Sequence, residues 1–226
     1  MNFLTVILTS GNAKHIERAL YGMPDKDVVV VYNTNDTDKF SALENRLSVE
    51  VVRTDSNGTP GMGHQSCFDY FLSTNYSHMI KLDGDDMFLP DGDRPGGHRQ
   101  IRHTMLNNPN TDVLGLLGEV LHYRTPRYQA LGLWSDFDYP EYMKYKGITP
   151  SDGLDDWVLE LASYGGGLGY PFDRLVCCSR AGASAVKYST DLKVNEDTQL
   201  LCKLKLLHAQ GALVYNQFES QDCYYY

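Results

Sequence analysis

The run His78–Asp93, HMIKLDGDDMFLPDGD, decides how the chain is read. Met79, Ile80 and Leu82 form a short apolar stretch that closes on Asp83, Asp85 and Asp86. If the stretch is a buried strand, Asp83 and Asp85 project their carboxylates to the same side for as long as strand geometry lasts. Like charges held that close repel. A hard divalent cation such as Mg²⁺ or Mn²⁺ would relieve them, since these ions take one or two carboxylates together with substrate phosphates. The same residues also suit a solvated turn, because Asp and Gly are turn formers. An EF-hand loop is a poor fit: the acids are wrongly spaced and the closing Glu is missing.

The whole chain has 226 residues and a net charge of −9, which fits one well-buried domain and opposes binding to nucleic acid or anionic lipid. Five cysteines, with Cys177 and Cys178 adjacent and no CxxC pair, suggest neither a disulfide framework nor a zinc site. Reduced thiols and a cytoplasmic location are therefore expected. The opening MNFLTVILTSGN lacks a basic leader, and no apolar run reaches the ~18 residues of a membrane span.

Upstream of the acidic run, strands and helices alternate. Phe3–Leu8 reads as a buried strand ending in a turn at Thr9, Ser10, Gly11 and Asn12. Ile16, Ala19 and Leu20 lie at helical spacing before Gly22 and Pro24 stop the helix. Asp27–Tyr32, DVVVVY, is apolar throughout, as in a strand buried on both faces of a parallel sheet. A polar loop, Asn33–Asp38, follows; then come a helix over Lys39–Leu47 and a strand over Val49–Arg53. Asp55–Gly63, DSNGTPGMG, reads as a loop and His64–Leu72 as a helix. This alternation predicts parallel βαβ units, whose ligands bind outside the carboxyl ends of the strands. Thr9–Asn12, Tyr32–Asp36, Asp55–Gly63 and Asp83–Asp86 should then line one crevice. The glycines at 58, 61 and 63 match neither GxGxxG nor GxxxxGK(S/T), so the loop carries no phosphate signature of its own.

The succession VILTSGN, DVVVVYNTNDTD, VEVVRTDSNGTPGMGHQSCFDYF and MIKLDGDDMFLPDG resembles the nucleotide-sugar half of family 2 glycosyltransferases. VNEDTQLL at Val194–Leu201, with the helix to His208 and a last strand at Gly211–Tyr215, resembles that family's ED motif. The likeness covers Met1 to about Leu121 and Arg174 to about Tyr215. It implies a GT-A, Rossmann-like α/β fold: a mostly parallel central sheet flanked by helices, with an acceptor-side insertion. The chain would be one domain, 1–226, with a nucleotide-sugar half at 1–121 and an acceptor and catalytic-base half at 122–226.

The resemblance also implies roles. Asp83, Gly84 and Asp85 match the DxD motif; Asp85 would be the main ligand of Mn²⁺ or Mg²⁺, and Asp83 would face the ribose or the metal. Asp197 matches the general base that deprotonates the acceptor hydroxyl, with Glu196 as its neighbour in the motif. The bare residues also suit a helix start, where acids favour the helix dipole. Thr9, Ser10 and Asn12, then Tyr32, Asn33 and Asp36, and finally Gly63, would contact the donor, a UDP-sugar in the first instance. Tyr32 and Asn33 stand where the family commonly has acids, so the base is open, and Tyr32 suits either stacking or packing. No His lies in Gln217–Tyr226 to complete a metal site, although Asp222 does.

Between the two blocks, Gly97–Asn107 reads as a helix and Asp112–Tyr123 as a strand or hairpin. Trp134, Trp157 and Tyr170 stand among acids in a segment that leaves the βα alternation. Aromatic faces beside carboxylates suit a carbohydrate or other hydroxyl acceptor, and equally an ordinary core. The glycines at 165, 166, 167 and 169 suggest a lid that excludes water. The expected activity is inverting, metal-assisted transfer of a sugar from a nucleoside-diphosphate donor to an acceptor hydroxyl. A sugar-1-phosphate nucleotidyltransferase and a non-catalytic nucleotide- or sugar-binding protein are the alternatives.

Overall fold

The structure, a computed structural model, describes residues 1–24, 26–54, 58–92, 95–118, 172–190, 196–219 and 224–225. Strand β1 is Phe3–Thr9, helix α1 Ala13–Tyr21, β2 Val28–Tyr32, α2 Thr37–Arg46, β3 Glu50–Arg53, α3 Pro60–Ser73 and β4 His78–Asp83. Then follow β5 Met87–Phe88, α4 Gly97–Asn107, β6 Val113–Gly118, β7 Phe172–Ser179, α5 Arg180–Ala185, α6 Glu196–Ala209, β8 Tyr215–Glu219 and β9 Tyr224–Tyr225.

One seven-stranded sheet runs in the order β3-β2-β1-β4-β7-β6-β8. β1 pairs in parallel with β2 and β4, and β2 with β3. β7 is antiparallel to both β4 and β6, while β6 and β8 are parallel. β7 is thus reversed against its neighbours, and β8 points the same way as β1. The expected α/β architecture with a mostly parallel central sheet is what the chain adopts.

Alternation along the strands fills a layer on each face. From β1, Phe3 and Ile7 join Ile16 and Ala19 of α1, Leu43 of α2 and Ile101 and Met105 of α4. Leu4 and Val6 point the other way, to Phe68 and Phe71 of α3, Ala183 of α5 and Leu200 and Leu204 of α6. In β2, Val30 serves the first layer and Val29 and Val31 the second, so the whole strand is buried, as its unbroken apolar run predicts. At roughly 1.5–3 kcal/mol for each fully buried aliphatic or aromatic side chain, these two layers hold the sheet in register.

Three differences from the sequence reading bear on the site. Helix α3 opens at Pro60, not His64, because the Thr59 hydroxyl caps the Met62 amide and Pro60 takes the first helical turn, where its missing N–H costs nothing. The last long strand is Tyr215–Glu219; Gly211, with φ 71°, turns the chain out of α6 ahead of it. β4 ends at Asp83, so strand geometry does not extend to Asp85. Cys67, Cys177 and Cys178 are free and buried, and burial pushes the Cys67 thiol up to about 12. Among the described residues, no helix is long and apolar enough to cross a membrane.

Helix α4 is tied to the sheet by His98, whose Nε2 lies 2.9 Å from Oγ1 of Thr5 in β1, both side chains buried. Burial first, then the neighbouring Arg102 guanidinium, pushes this imidazole from 6.5 down to about 4. A depressed folded-state value means that the stability tied to the neutral ring is complete above about pH 6.5 and is lost as pH falls towards about 4. At about 1.4 kcal/mol per pH unit, that loss comes to roughly 3 kcal/mol. Urea midpoints measured from pH 7 to pH 4.5 should fall faster for the native chain than for His98→Gln. Equal slopes would show that His98 titrates as an ordinary surface histidine.

Candidate functional site

The residues that bear chemistry gather at the carboxyl ends of β1, β2 and β4. At β4 the chain turns sharply. The Gly84 amide donates to the Leu8 carbonyl of β1 at 2.7 Å, and the Asp86 amide donates to the Asp83 carbonyl at 3.0 Å, closing a turn with Gly84 and Asp85 at its tip. A Cβ on Gly84 would come within 2.6 Å of both the Leu8 carbonyl oxygen and the Ile16 side chain, so this close approach requires glycine. The turn is also held from α1, where Arg18 Nη2 donates to the Asp85 carbonyl at 2.6 Å.

Asp83 is only 15% exposed, and its charge is matched within the protein. Lys81 Nζ, itself buried, lies 2.8 Å from Oδ1, and Arg174 Nη1 of β7 lies 3.0 Å from Oδ2. His64 Nδ1 of α3 is 3.7 Å from Oδ1, and its ring stacks on Tyr188 at 4.9 Å between centroids. Burial alone would raise the Asp83 carboxyl, but Lys81, then Arg174 and His64 outweigh it and hold the group well below the usual carboxylate range. The same Arg174 Nη1 also pairs with the buried carboxylate of Asp86. The acids at 83, 85 and 86 are therefore interleaved with the cations of Lys81, Arg174 and Arg18.

This arrangement corrects the picture of two like charges on one strand face awaiting a divalent ion. Asp85 leaves the strand, and Asp83 has its charge matched by Lys81 and Arg174. A metal at Asp83 would be repelled by both of those groups, so Asp83 does not fit as its ligand. Asp85, half-buried at the tip of the turn, fits as a single-carboxylate anchor of the kind Mg²⁺ uses beside substrate phosphates. Among the described residues, no group of three or more His, Cys, Asp or Glu side chains is arranged to hold a metal by itself.

The other expected donor residues have identifiable local work. Thr9 is buried, and its hydroxyl accepts from the Gly11 amide at 3.1 Å; Ser10 is exposed beside it. Asn12 caps α1 through the His15 amide. Asp36 caps α2 through the Lys39 amide at 3.1 Å, a bond that lowers its carboxyl. The Tyr32 ring is fully buried, tilted against Phe40, and its hydroxyl donates to the Asp36 carbonyl at 2.9 Å. Packing is therefore its role here, and it offers no face for a base to stack on. Asn33 is buried and donates to the Thr59 carbonyl at 3.2 Å. Gly63 lies inside α3, where a Cβ would meet Asn33 Nδ2 at 2.1 Å, so this glycine lets the helix approach the loop after β2. These residues do converge at one end of the sheet, where their contacts within the protein shape the strand ends and helix starts.

Glu196 and Asp197 fall in the opening turn of α6. Because β8 runs parallel to β6 and so to β1, a helix that feeds the start of β8 begins at the carboxyl end of the sheet. Topology thus brings the ED turn to the same end as the acidic turn of β4. Trp134, Trp157, Tyr170, the glycines at 165–169 and Asp222 lie outside the described residues. Lys81 and Arg174 were not singled out in the sequence. A lysine between Ile80 and Leu82 in a buried strand did carry a signal, since a buried cation must find an anion. The signal at Arg174 was weaker: a cation heading the apolar run LVCC.

No family model matches the chain, and no curated protein matches it. Solved structures do. S. aureus TarS 1-349 in complex with UDP-GlcNAc aligns with a TM-score of 0.56 at 16% identity, over 100% of this chain and 58% of that one. S. aureus TarS aligns with a TM-score of 0.54 at 15% identity, over 100% of this chain and 36% of that one. A putative nucleotide-diphospho-sugar transferase from Desulfovibrio desulfuricans G20 gives 0.50 at 9% identity, over 96% of this chain and 79% of that one. The chain spans less than two thirds of the TarS chains it matches. At these identities the likeness is one of fold, and the fold is of the GT-A type found in nucleotide-diphospho-sugar transferases.

Proposed function

We propose that the chain is an inverting glycosyltransferase that moves a sugar from a nucleoside-diphosphate donor, a UDP-sugar in the first instance, to an acceptor hydroxyl. The observation that carries this reading is the placement of the acidic turn of β4 and the ED turn of α6 at one end of a GT-A-type sheet. The UDP-GlcNAc bound to TarS, whose fold the chain shares, supports a nucleotide-sugar donor.

In this reading the rim residues 9–12 and 33–36 bound the nucleoside side of the crevice, and the turn at Gly84–Asp85 faces the diphosphate. Asp197 takes the proton of the acceptor hydroxyl, for which it must come within ~2.6–3.2 Å, directly or through one water. The hydroxyl oxygen then forms a bond to the anomeric carbon as the bond from that carbon to the diphosphate oxygen breaks, and the nucleoside diphosphate leaves with the electron pair. Attack from the face opposite the leaving group inverts the centre. When bound, Mn²⁺ or Mg²⁺ would supply Lewis-acid stabilisation of the departing charge, and Asp85 is the residue that would hold it. Trp134, Trp157 and Tyr170 are proposed for the acceptor side.

A binding and turnover screen of UDP-, GDP-, CMP- and dTDP-sugars with Mn²⁺, Mg²⁺ or EDTA tests the reading. One donor should bind in a cation-dependent way. Asp85→Ala should abolish that dependence, while Asp197→Ala should keep binding and lose about 10²–10⁴-fold in turnover. If no nucleotide sugar binds under any condition, the proposal fails. Gly84→Ala gives a separate check on the turn. Its new methyl must push against the Leu8 carbonyl, so a stability loss of about 1–3 kcal/mol should accompany weakened donor binding.

A further inference from the structure

The turn after β4 contains three acids, and hydrogen bonds within the protein secure its backbone. Gly84 bonds to Leu8, Asp86 to Asp83, and Arg18 to the Asp85 carbonyl. Against this fixed frame, Arg174 reaches in from the one reversed strand and pairs with Asp83 and Asp86 together. Lys81 meets the remaining oxygen of Asp83 at 2.8 Å. Arginine suits this place because it stays charged when buried and its Nη1 carries two N–H donors, one for each carboxylate.

We propose that Arg174, backed by Lys81, is the resident cation of the acidic turn: it fills the place a divalent ion would otherwise take between Asp83 and Asp86. Cation binding then falls to Asp85 acting with the donor's diphosphate. The consequence is an ordered requirement, in which the protein alone holds Mn²⁺ weakly and the nucleoside diphosphate completes the site. Arg174 is a positioning residue; it neutralises Asp83 and Asp86 and touches no reacting atom. The proposal rests on the donor reading above only for the identity of the diphosphate.

Free Mn²⁺, followed by its electron paramagnetic resonance signal during titration of the full chain, tests this without any turnover. The native protein should bind Mn²⁺ weakly alone and at least about tenfold more tightly with UDP, the scale of a single added charge-assisted contact. Arg174→Met, which leaves the backbone bonds of the turn intact, should bind Mn²⁺ at least tenfold more tightly than the native chain in the absence of nucleotide. It should also gain thermal stability from Mn²⁺. Arg174→Lys keeps a cation on a shorter, more flexible stem, and should fall between the two.

An unchanged nucleotide-free affinity in folded Arg174→Met would overturn the role of Arg174. Tight Mn²⁺ binding by the native protein alone would also overturn it, and that measurement needs no variant to fold. Absence of any effect of UDP or GDP on Mn²⁺ binding overturns the donor reading only, since the nucleotide-free comparison does not depend on it.

Discussion

The ion pairs around Asp83 are the constraint on which the candidate site depends. A carboxylate at the end of a buried strand would favour its protonated form unless charge were supplied nearby. Here Lys81 comes from the same strand and Arg174 from the reversed strand beside it. Removing either partner would leave an uncompensated buried charge, and such losses cost more than the pair itself contributes. The network therefore fixes β7 against β4 at the point where the acidic turn begins. The antiparallel strand has a chemical reason to be there as well as a topological one.

The crevice end of the sheet is assembled by ordinary local chemistry. Asn12, Asp36 and Thr59 each cap the helix that follows β1, β2 and β3, and the caps lie at the carboxyl ends of the strands, where open α/β sheets take their ligands. A capping side chain satisfies an amide that would otherwise lack a partner in the first turn. The side chains assigned to the donor by resemblance are thus partly occupied in making the rim. Contacts to a nucleoside in this region would draw on backbone groups and on exposed positions such as Ser10.

Patterns carried by near neighbours were legible in the sequence. The unbroken VVVVY run declared β2, the spacing of Ile16, Ala19 and Leu20 declared α1, and Asp83, Gly84 and Asp85 marked the end of β4. What was not legible depended on partners distant in sequence. Gly61, Met62 and Gly63 read as loop because glycine disfavours helices; in the fold, Gly61 faces the Ser189 carbonyl and Gly63 faces Asn33, at separations no side chain would allow. Tyr32 could have faced solvent or core until Phe40 was packed against it. Arg174 showed only as a cation heading an apolar run, and its partners were hidden because both acids it serves lie in the other block of the chain. The expectation that Asp83 and Asp85 project from one strand face did not hold, because β4 ends at Asp83, two residues short of Asp85.

Gly118 and Phe172 are paired across β6 and β7, so the chain leaves the sheet and rejoins it at adjacent positions on one ladder. The two strand ends therefore lie side by side. Where two such ends are held together, the entropic cost of closing whatever connects them grows only with the logarithm of its length. The segment could be lengthened, shortened or exchanged with little change to the register of the strands or to the lock on Asp83. Under the proposed reading, a change of acceptor could therefore arise in that connection without disturbing the strands beside the acidic turn.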